Sequence, residues 1–494
     1  MTNIARYQMY INGHWTDAAD GATFESINPA TGKVWAIMPA AAEDDVNSAV
    51  RAARSALDDG PWASMLPTQR GKLIRRLGDL IAENANRLGD IETTDSGKLS
   101  RETRAQAGYV AEYYYYFSGL ADKIEGATLP IDKPDMHVFT MREPVGVVAA
   151  VVPWNAQMFL TATKLGPALA AGNTVVLKAS EDAPATLFEF AKLVEAAGFP
   201  AGVINVITGF GEPCGRALTS HPDVARVAFT GGPSVARRII ENTASNFAIV
   251  SLELGGKSPM LIFDDADIEN AVNGIIAGNF GATGQSCVAG SRVFLHDNLH
   301  DRILDRLVER VKAVRIGDPL DERTDMGPLA TRRQHDHIRE SVGISVNQGA
   351  SLLAGGKVPH GFTAGWYYEP TILACPNQNV KTVQEEMFGP VLSALRFHDE
   401  EEAIAHANNS RFGLGAGIFT RDVGRAIRVS KRIRSGIVWV NTYRAVSPIA
   451  PFGGFKQSGY GREAGLDAIY DYTRTKTVWI NTSSAPMADP FTIR

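Results

Sequence analysis

The sequence predicts an α/β fold built on doubly wound parallel sheets, and three observations predict it. Short apolar runs recur at 147–152, 174–177, 203–207, 227–229 and 249–252. Stretches of helical length separate them, such as Ala185–Ala197, which Gly198 closes. A second alternation follows, with helical periodicity at 271–279 and 299–314 and apolar runs at 391–396, 415–419 and 437–441. Strands alternating with helices argue for parallel sheets covered on both faces.

Taken in order, residues 8–40 read as hairpin-like strands with turns at Asn12-Gly13 and Asn28-Pro29. Residues 43–120 read as helices, because Val46, Val50, Ala53 and Ala56 repeat at helical spacing. From 145 the strand–helix rhythm begins. In such sheets ligands bind beyond the carboxyl ends of the strands. Asn155 falls just after the first run, Lys178 after the second, Gly231 after the fourth and Glu253 at the end of the fifth. The tail 472–481 alternates like an edge strand. With 136–141 it either pairs against another copy or lies in a sheet of its own chain, and pattern alone leaves both open.

A chain of 494 residues is too long for one core, so two or three domains are expected. With 45% hydrophobic and 21% charged residues it reads as a soluble globular protein. A net charge of −5 gives no reason to expect nucleic acid or an anionic membrane as partner. The three cysteines, Cys214, Cys287 and Cys375, are odd in number and scattered, which argues against a disulfide framework and for a reducing compartment. No pair has metal-ligand spacing and no HExxH occurs, so no metal is expected. The N-terminus lacks a signal-peptide pattern. The most apolar run, 145–152, is far shorter than the roughly 20 residues of a membrane helix. A cytoplasmic protein is expected.

Three residues carry candidate chemistry. A free cysteine is usually a small buried hydrophobe, but Gly281, Gly284 and Gly290 around Cys287 point to close backbone approach. Cys214 and Cys375 lack such surroundings and read as structural. Glu253, in an apolar run before Gly255-Gly256, is paired, solvated at a strand end, or kept for proton transfer; burial would raise its pKa toward that of a general base. Asn155, after Pro153-Trp154, has an amide that can donate to an oxyanion or cap a turn. Three look-alikes fail. Gly256-Lys257-Ser258 ends like a P-loop, but Ser251 stands where the first glycine belongs. Gly209 to Gly215 is one residue off the dinucleotide fingerprint and follows the third run. Gly284 to Val288 lacks the glycine spacing of a nucleophile elbow.

Together, Pro153-Trp154-Asn155, Leu252-Glu253-Leu254-Gly255-Gly256-Lys257-Ser258-Pro259, Gly284-Gln285-Ser286-Cys287 and Glu385-Glu386-Met387-Phe388-Gly389-Pro390 resemble the NAD(P)-dependent aldehyde dehydrogenase superfamily, of the hydrolytic, bacterial catabolic type. The resemblance runs from Tyr10-Ile11-Asn12-Gly13 to Lys476-Thr477-Val478. It implies an NAD-binding domain from 1–122 and 145–254, a catalytic domain from 255–460, and a small β oligomerisation element from 123–144 and 466–494 that assembles a homodimer or homotetramer. It implies that Cys287 attacks an aldehyde as a thiolate, that Asn155 and the Cys287 N–H hold the oxyanion, and that Glu253 activates the water that releases the acid. Lys164 and Glu463 join the catalytic set, Glu463 as a second acid on a proton exit. Val152, Pro153, Trp154, Lys178, Glu181, Gly211, Phe229, Gly231, Gly232, Leu254, Glu386 and Phe388 would hold the cofactor. A carboxylate at Glu181 accepts from ribose hydroxyls and repels a 2′-phosphate, which favours NAD over NADP.

The chain departs from the family pattern in two places. Gly231-Gly232-Pro233-Ser234-Val235-Ala236 replaces the common Gly-Ser-Thr-Glu-Val-Gly, leaving pyrophosphate to backbone N–H groups at a helix start. Ala156-Gln157 replaces Phe-Pro, and Thr163 and Val446 stand where aromatics are common. A less aromatic, more polar tunnel points to a polar, branched or ring-derived (semi)aldehyde and, among catabolic members, to the hydroxybutyrolactone dehydrogenases of pyridine-compound breakdown. A CoA-acylating semialdehyde dehydrogenase is the first alternative, disfavoured because such enzymes typically lack the carboxylate that Glu253 supplies. A thiol hydrolase or esterase using Cys287 needs a histidine with an orienting acid, and none of the 10 histidines lies in a supporting motif. A non-enzymatic protein on this fold is disfavoured because Cys287 and Glu253 are both present.

Overall fold

A computed structural model describes residues 4–487 and 489–492; residues 1–3, 488, 493 and 494 of the expected domain bounds lie outside the described residues. Its first large sheet has eight strands, in the order Gly459–Tyr460, Ile249–Leu254, Val224–Gly231, Val147–Val151, Thr174–Ala179, Ile204–Thr208, Met9–Ile11 and His14–Thr16. The five central strands pair in parallel. Thr174–Ala179 and Ile204–Thr208 are buried throughout, which is why they read as unbroken apolar runs. The earliest of the five, Val147–Val151, lies between the second and the fourth. Winding therefore reverses beside it and opens a crevice past the strand ends, where α/β sheets bind ligands. Lys178 stands inside the second strand rather than after it.

The second sheet has seven strands, in the order Ser351–Ala354, Thr371–Ala374, Val391–Phe397, Arg292–His296, Pro259–Ile262, Gly415–Phe419 and Ile437–Val440. Every pairing is parallel except that of the Ser351–Ala354 edge. One apolar cluster surrounds the first sheet and two flank the second. The chain crosses from one sheet to the other through Gly255-Gly256, between Ile249–Leu254 and Pro259–Ile262.

Local signals explain most elements. Asn12 and Gly13 both take positive φ, 53° and 77°, as a tight hairpin turn requires. Four helices follow: Glu43–Asp58, Pro67–Glu83, Ala85–Ser96 and Ser100–Ser118. Pro67 opens the second, and Gly97 at φ 78° ends the third. Helix Arg332–Asn347 was not anticipated. Its buried face is Ile338, Ser341, Val342 and Ser345, and two serines blur the apolar period. Met136–Pro144 and Thr473–Asn481 pair antiparallel along their full length within one chain. That two-stranded ribbon exposes Trp479, at 56% of its surface, and Ile480. No helix among the described residues is long and apolar enough to cross a membrane.

Candidate active site

Cys287 sits in the loop between helix Ile268–Phe280 and strand Arg292–His296. Ala282, Thr283 and Gly284 all have positive φ, 54°, 54° and 72°, so the chain coils sharply before the thiol. Such conformations cost non-glycine residues on the order of 1 kcal/mol each. At Gly284 a side chain would collide with the Gly389 carbonyl. The loop is pinned from three sides. Gln285 Oε1 accepts from Ala330 N at 2.9 Å, Gln285 O accepts from Asn155 Nδ2 at 3.1 Å, and Tyr443 Oη donates to Val288 O at 2.9 Å. Asn155 Nδ2 carries two hydrogens, so one remains to point at a ligand. Cys287 keeps part of its surface accessible, yet burial, then Glu386 and Glu253, push its thiol up to about 12, while Arg444 pulls it down.

Glu253 is the last residue but one of strand Ile249–Leu254, with only 4% of its surface exposed, and neither carboxylate oxygen has a hydrogen-bond partner. Burial, reinforced by Glu463, drives its pKa well above the usual carboxylate range; Lys164 and Arg462 oppose the shift. Gly459 pairs beside it, and a Cβ at Gly453 would stand 2.8 Å from Glu253 Oε1. Behind it, Glu463 accepts from Thr163 Oγ1 at 2.6 Å and from the fully buried Lys164, whose Nζ also donates to Thr230 Oγ1 at 2.6 Å. This closed polar cluster joins Lys164 and Glu463 to the floor below Glu253.

Two tunnel expectations are corrected. Thr163 does not face an open path; it is 2% exposed and its hydroxyl is turned onto Glu463. Gln157 is fully buried and donates to Ala183 O, away from Cys287. The region is not short of aromatics either. Tyr109 packs edge-on to Tyr113, Tyr113 packs edge-on to Phe159, and Tyr109 Oη donates to Val446 O at 3.0 Å. The rings come from helices Ser100–Ser118 and Gln157–Ala170 rather than from positions 163 and 446.

A cavity of about 210 Å³ brings together Cys287, Glu253 and Asn155 with Pro153, Trp154, Gly231, Gly232, Leu254, Glu386 and Phe388. It adds Leu160, Thr230, Gly255 and Gln334, which sequence reasoning missed. Gln334 lies just inside a helix capped by Thr331, and a capping threonine ahead of the helix was its only sequence signal. Gln334 Nε2 donates to Phe388 O at 3.0 Å and steadies a turn in which Phe388 takes φ 51° and meets the Trp154 ring edge-on. Glu386 accepts from Gly256 N at 3.2 Å, packs where Gly255 has no side chain, and is raised by burial to about 7. Val152 and Phe229 are buried beneath this floor, the Phe229 ring packed on Gly231. Lys178 Nζ lies 3.7 Å from Glu181 Oε2, and Gly215, in the turn that Gly211 begins, packs on the Lys178 chain. Nothing lies within 4 Å of where a Cβ would stand at Gly211 or Gly232, so both backbones are open to a ligand. A larger groove of about 650 Å³, bordered by His300, Cys375, Arg396 and His406, contains none of these groups.

The model of the aldehyde dehydrogenase family matches residues 15–478. The chain belongs to the aldehyde dehydrogenase family. This aldehyde dehydrogenase is 56% identical over 492 residues, 99% of its chain and 100% of the relative, to (Z)-2-((N-methylformamido)methylene)-5-hydroxybutyrolactone dehydrogenase of Acinetobacter baylyi. It is 41% identical to hydroxyisobutyraldehyde dehydrogenase of Mycolicibacterium austroafricanum, covering 97% of the chain and 94% of the relative. Among solved structures it matches the NAD⁺ complex of an aldehyde dehydrogenase from Bacillus cereus at TM-score 0.95 and 41% identity, over 97% of each chain. The family read from the motifs and the α/β fold are both borne out, and the aldehyde dehydrogenase is an NAD(P)-dependent oxidoreductase.

Proposed function

We propose that this aldehyde dehydrogenase oxidises an aldehyde to its carboxylic acid with NAD, through a thioester on Cys287 that water hydrolyses. The observation that carries the reading is the unpartnered, buried Glu253 carboxylate in one cavity with Cys287 and Asn155. A raised carboxylate is suited to take a proton from the thiol as sulfur adds to the aldehyde carbon. The second Asn155 Nδ2–H and the Cys287 N–H receive the oxyanion. NAD, when bound, accepts the hydride that leaves that carbon. Glu253 then takes a proton from water as its oxygen attacks the thioester; the C–S bond breaks, the acid leaves and the thiol is restored. Lys164 and Glu463 lie behind Glu253, where they can carry its proton away.

The donor set fits a dinucleotide. The open backbones of Gly211 and Gly232, the helix start at Pro233 and the cavity-lining Glu386 carboxylate leave a cradle for it. Glu181 beside Lys178 supports NAD over NADP. For the substrate, a polar, branched or ring-derived (semi)aldehyde is supported by the name of the 56% identical relative. A 5-hydroxybutyrolactone is the cyclic form of a 4-oxo acid, so ring opening exposes an aldehyde and a carboxylate together. The separate cores support an NAD-binding domain at 1–122 and 145–254 and a catalytic domain at 255–460. The two-stranded ribbon with its exposed Trp479 and Ile480 supports 123–144 and 466–494 as the element that assembles a homodimer or homotetramer. Three free cysteines support a cytoplasmic location. A CoA-acylating route is the weaker reading, because Glu253 is in place to activate water.

NADH absorbance after rapid mixing tests the mechanism. Glu253→Gln should give a burst of NADH and then stall with the thioester unhydrolysed; Cys287→Ala should give no burst. Full steady-state turnover by Glu253→Gln without CoA would overturn the role given to Glu253.

A further inference from the structure

We propose that Arg444 selects aldehydes that carry a carboxylate, so that the substrate class is a short oxo acid rather than a neutral aldehyde. The inference rests on Cys287 being the nucleophile. Arg444 lies in the loop that follows strand Ile437–Val440 and takes φ 62°, a left-handed conformation that only a well-anchored loop imposes on a residue with a side chain. The anchor is its neighbour Tyr443, buried against Trp439 with ring centroids 4.8 Å apart and bonded through Oη to Val288 O, next to Cys287. The Arg444 side chain runs back onto the turn that leads into Cys287. Its Nη1 donates to Ala277 O at 3.2 Å and occupies the space that a Cβ at Gly281 would need, on the turn leading into Cys287.

That single carbonyl leaves most of the five guanidinium N–H donors unused. Among the described residues Arg444 forms no ion pair within 4.0 Å. The carboxylate of Glu102 borders the same glycine; its Oε1 accepts from Ala282 N at 3.1 Å, its Oε2 is buried without a hydrogen-bond partner, and neither oxygen comes within 4.0 Å of the guanidinium. Other half-buried arginines are engaged more fully: Arg425 contacts Asp264, Asp265 and Glu400, and Arg462 donates to two carbonyls, Gly454 O and Gly461 O. A half-buried, unpaired guanidinium beside a nucleophile is suited to hold a carboxylate by two parallel hydrogen bonds while the other end of the molecule reaches sulfur. The same cation also acts on Cys287, against Glu386 and Glu253. A neutral aldehyde would leave it without a partner.

The probes are 4-oxobutanoate and butanal, of equal chain length and differing in charge. Wild-type enzyme should have the higher kcat/KM for 4-oxobutanoate. In Arg444→Gln that preference should fall about 10- to 100-fold, the loss of a charge-assisted pair. Arg444→Lys, which keeps the cation, should retain a large part of it. Equal losses for both aldehydes would show that Arg444 only supports the loop and would overturn the proposal, as would a wild-type preference for butanal. Wild-type enzyme that reduces NAD with neither aldehyde would sink the dehydrogenase reading as well, so the two failures are distinguishable.

Discussion

Thr163 donates a hydrogen bond to Glu463 across 2.6 Å, in a part of the protein that water does not reach. Replacing the hydroxyl by a methyl leaves Glu463 Oε2 buried without that donor. Thr163→Val should therefore cost about 1–3 kcal/mol of stability, while Thr163→Ser should cost far less. Denaturant midpoints of the two variants decide it, and equal midpoints would remove the bond from the account.

The Cys287 thiol, held at about 12 by burial and two carboxylates, should be a sluggish nucleophile in the cofactor-free enzyme. Alkylation assigned to Cys287, by difference from Cys287→Ala, should accelerate about tenfold with each pH unit below that value. A rate that is already flat near neutral pH would show that the thiolate is present at rest.

Glu386 is raised from 4.5 to about 7, chiefly by burial. A carboxyl raised on folding contributes stability that is fully present below its unfolded value and lost as pH rises through its folded value. Relative to Glu386→Gln, the wild type should thus lose on the order of 2 kcal/mol between about pH 5 and about pH 8. Urea melts of both proteins at the two pH values measure it. A constant difference would mean that the carboxylate is well solvated.

Gly284 combines φ 72° with backbone packed where a Cβ would go. Gly284→Ala should cost about 2–4 kcal/mol and displace the thiol loop. Activity should fall more steeply than stability. A fully active variant would show that the loop has slack.

The fold was legible where apolar content and punctuation agree. Helix Ala185–Ala197 with Gly198 behind it matches the sequence reading residue for residue, because most of its positions are apolar and buried and the glycine behind it takes φ 83°. Arg332–Asn347 escaped because its buried stripe is half serine, and Gln334 escaped with it. Cys287, Glu253 and Asn155 were legible as a motif set, and the structure gathers them in one cavity. Thr163 was misjudged because its place in sequence does not say which way its hydroxyl turns. Arg444 gave no signal at all: its proposed role rests on a loop dihedral and on the lack of an ion-pair partner among the described residues, both products of tertiary packing.

The passage from Leu254 through Gly255-Gly256 to Pro259 is a short span of chain between the two large sheets, and the chain returns from Ile437–Val440 to Gly459–Tyr460. Glu253 is fastened to one sheet, while Cys287 leads into a strand of the other. On the proposed mechanism, base and nucleophile are therefore carried by different sheets. Acyl release would then depend on how the two sheets are held against each other as well as on the acidity of one carboxyl.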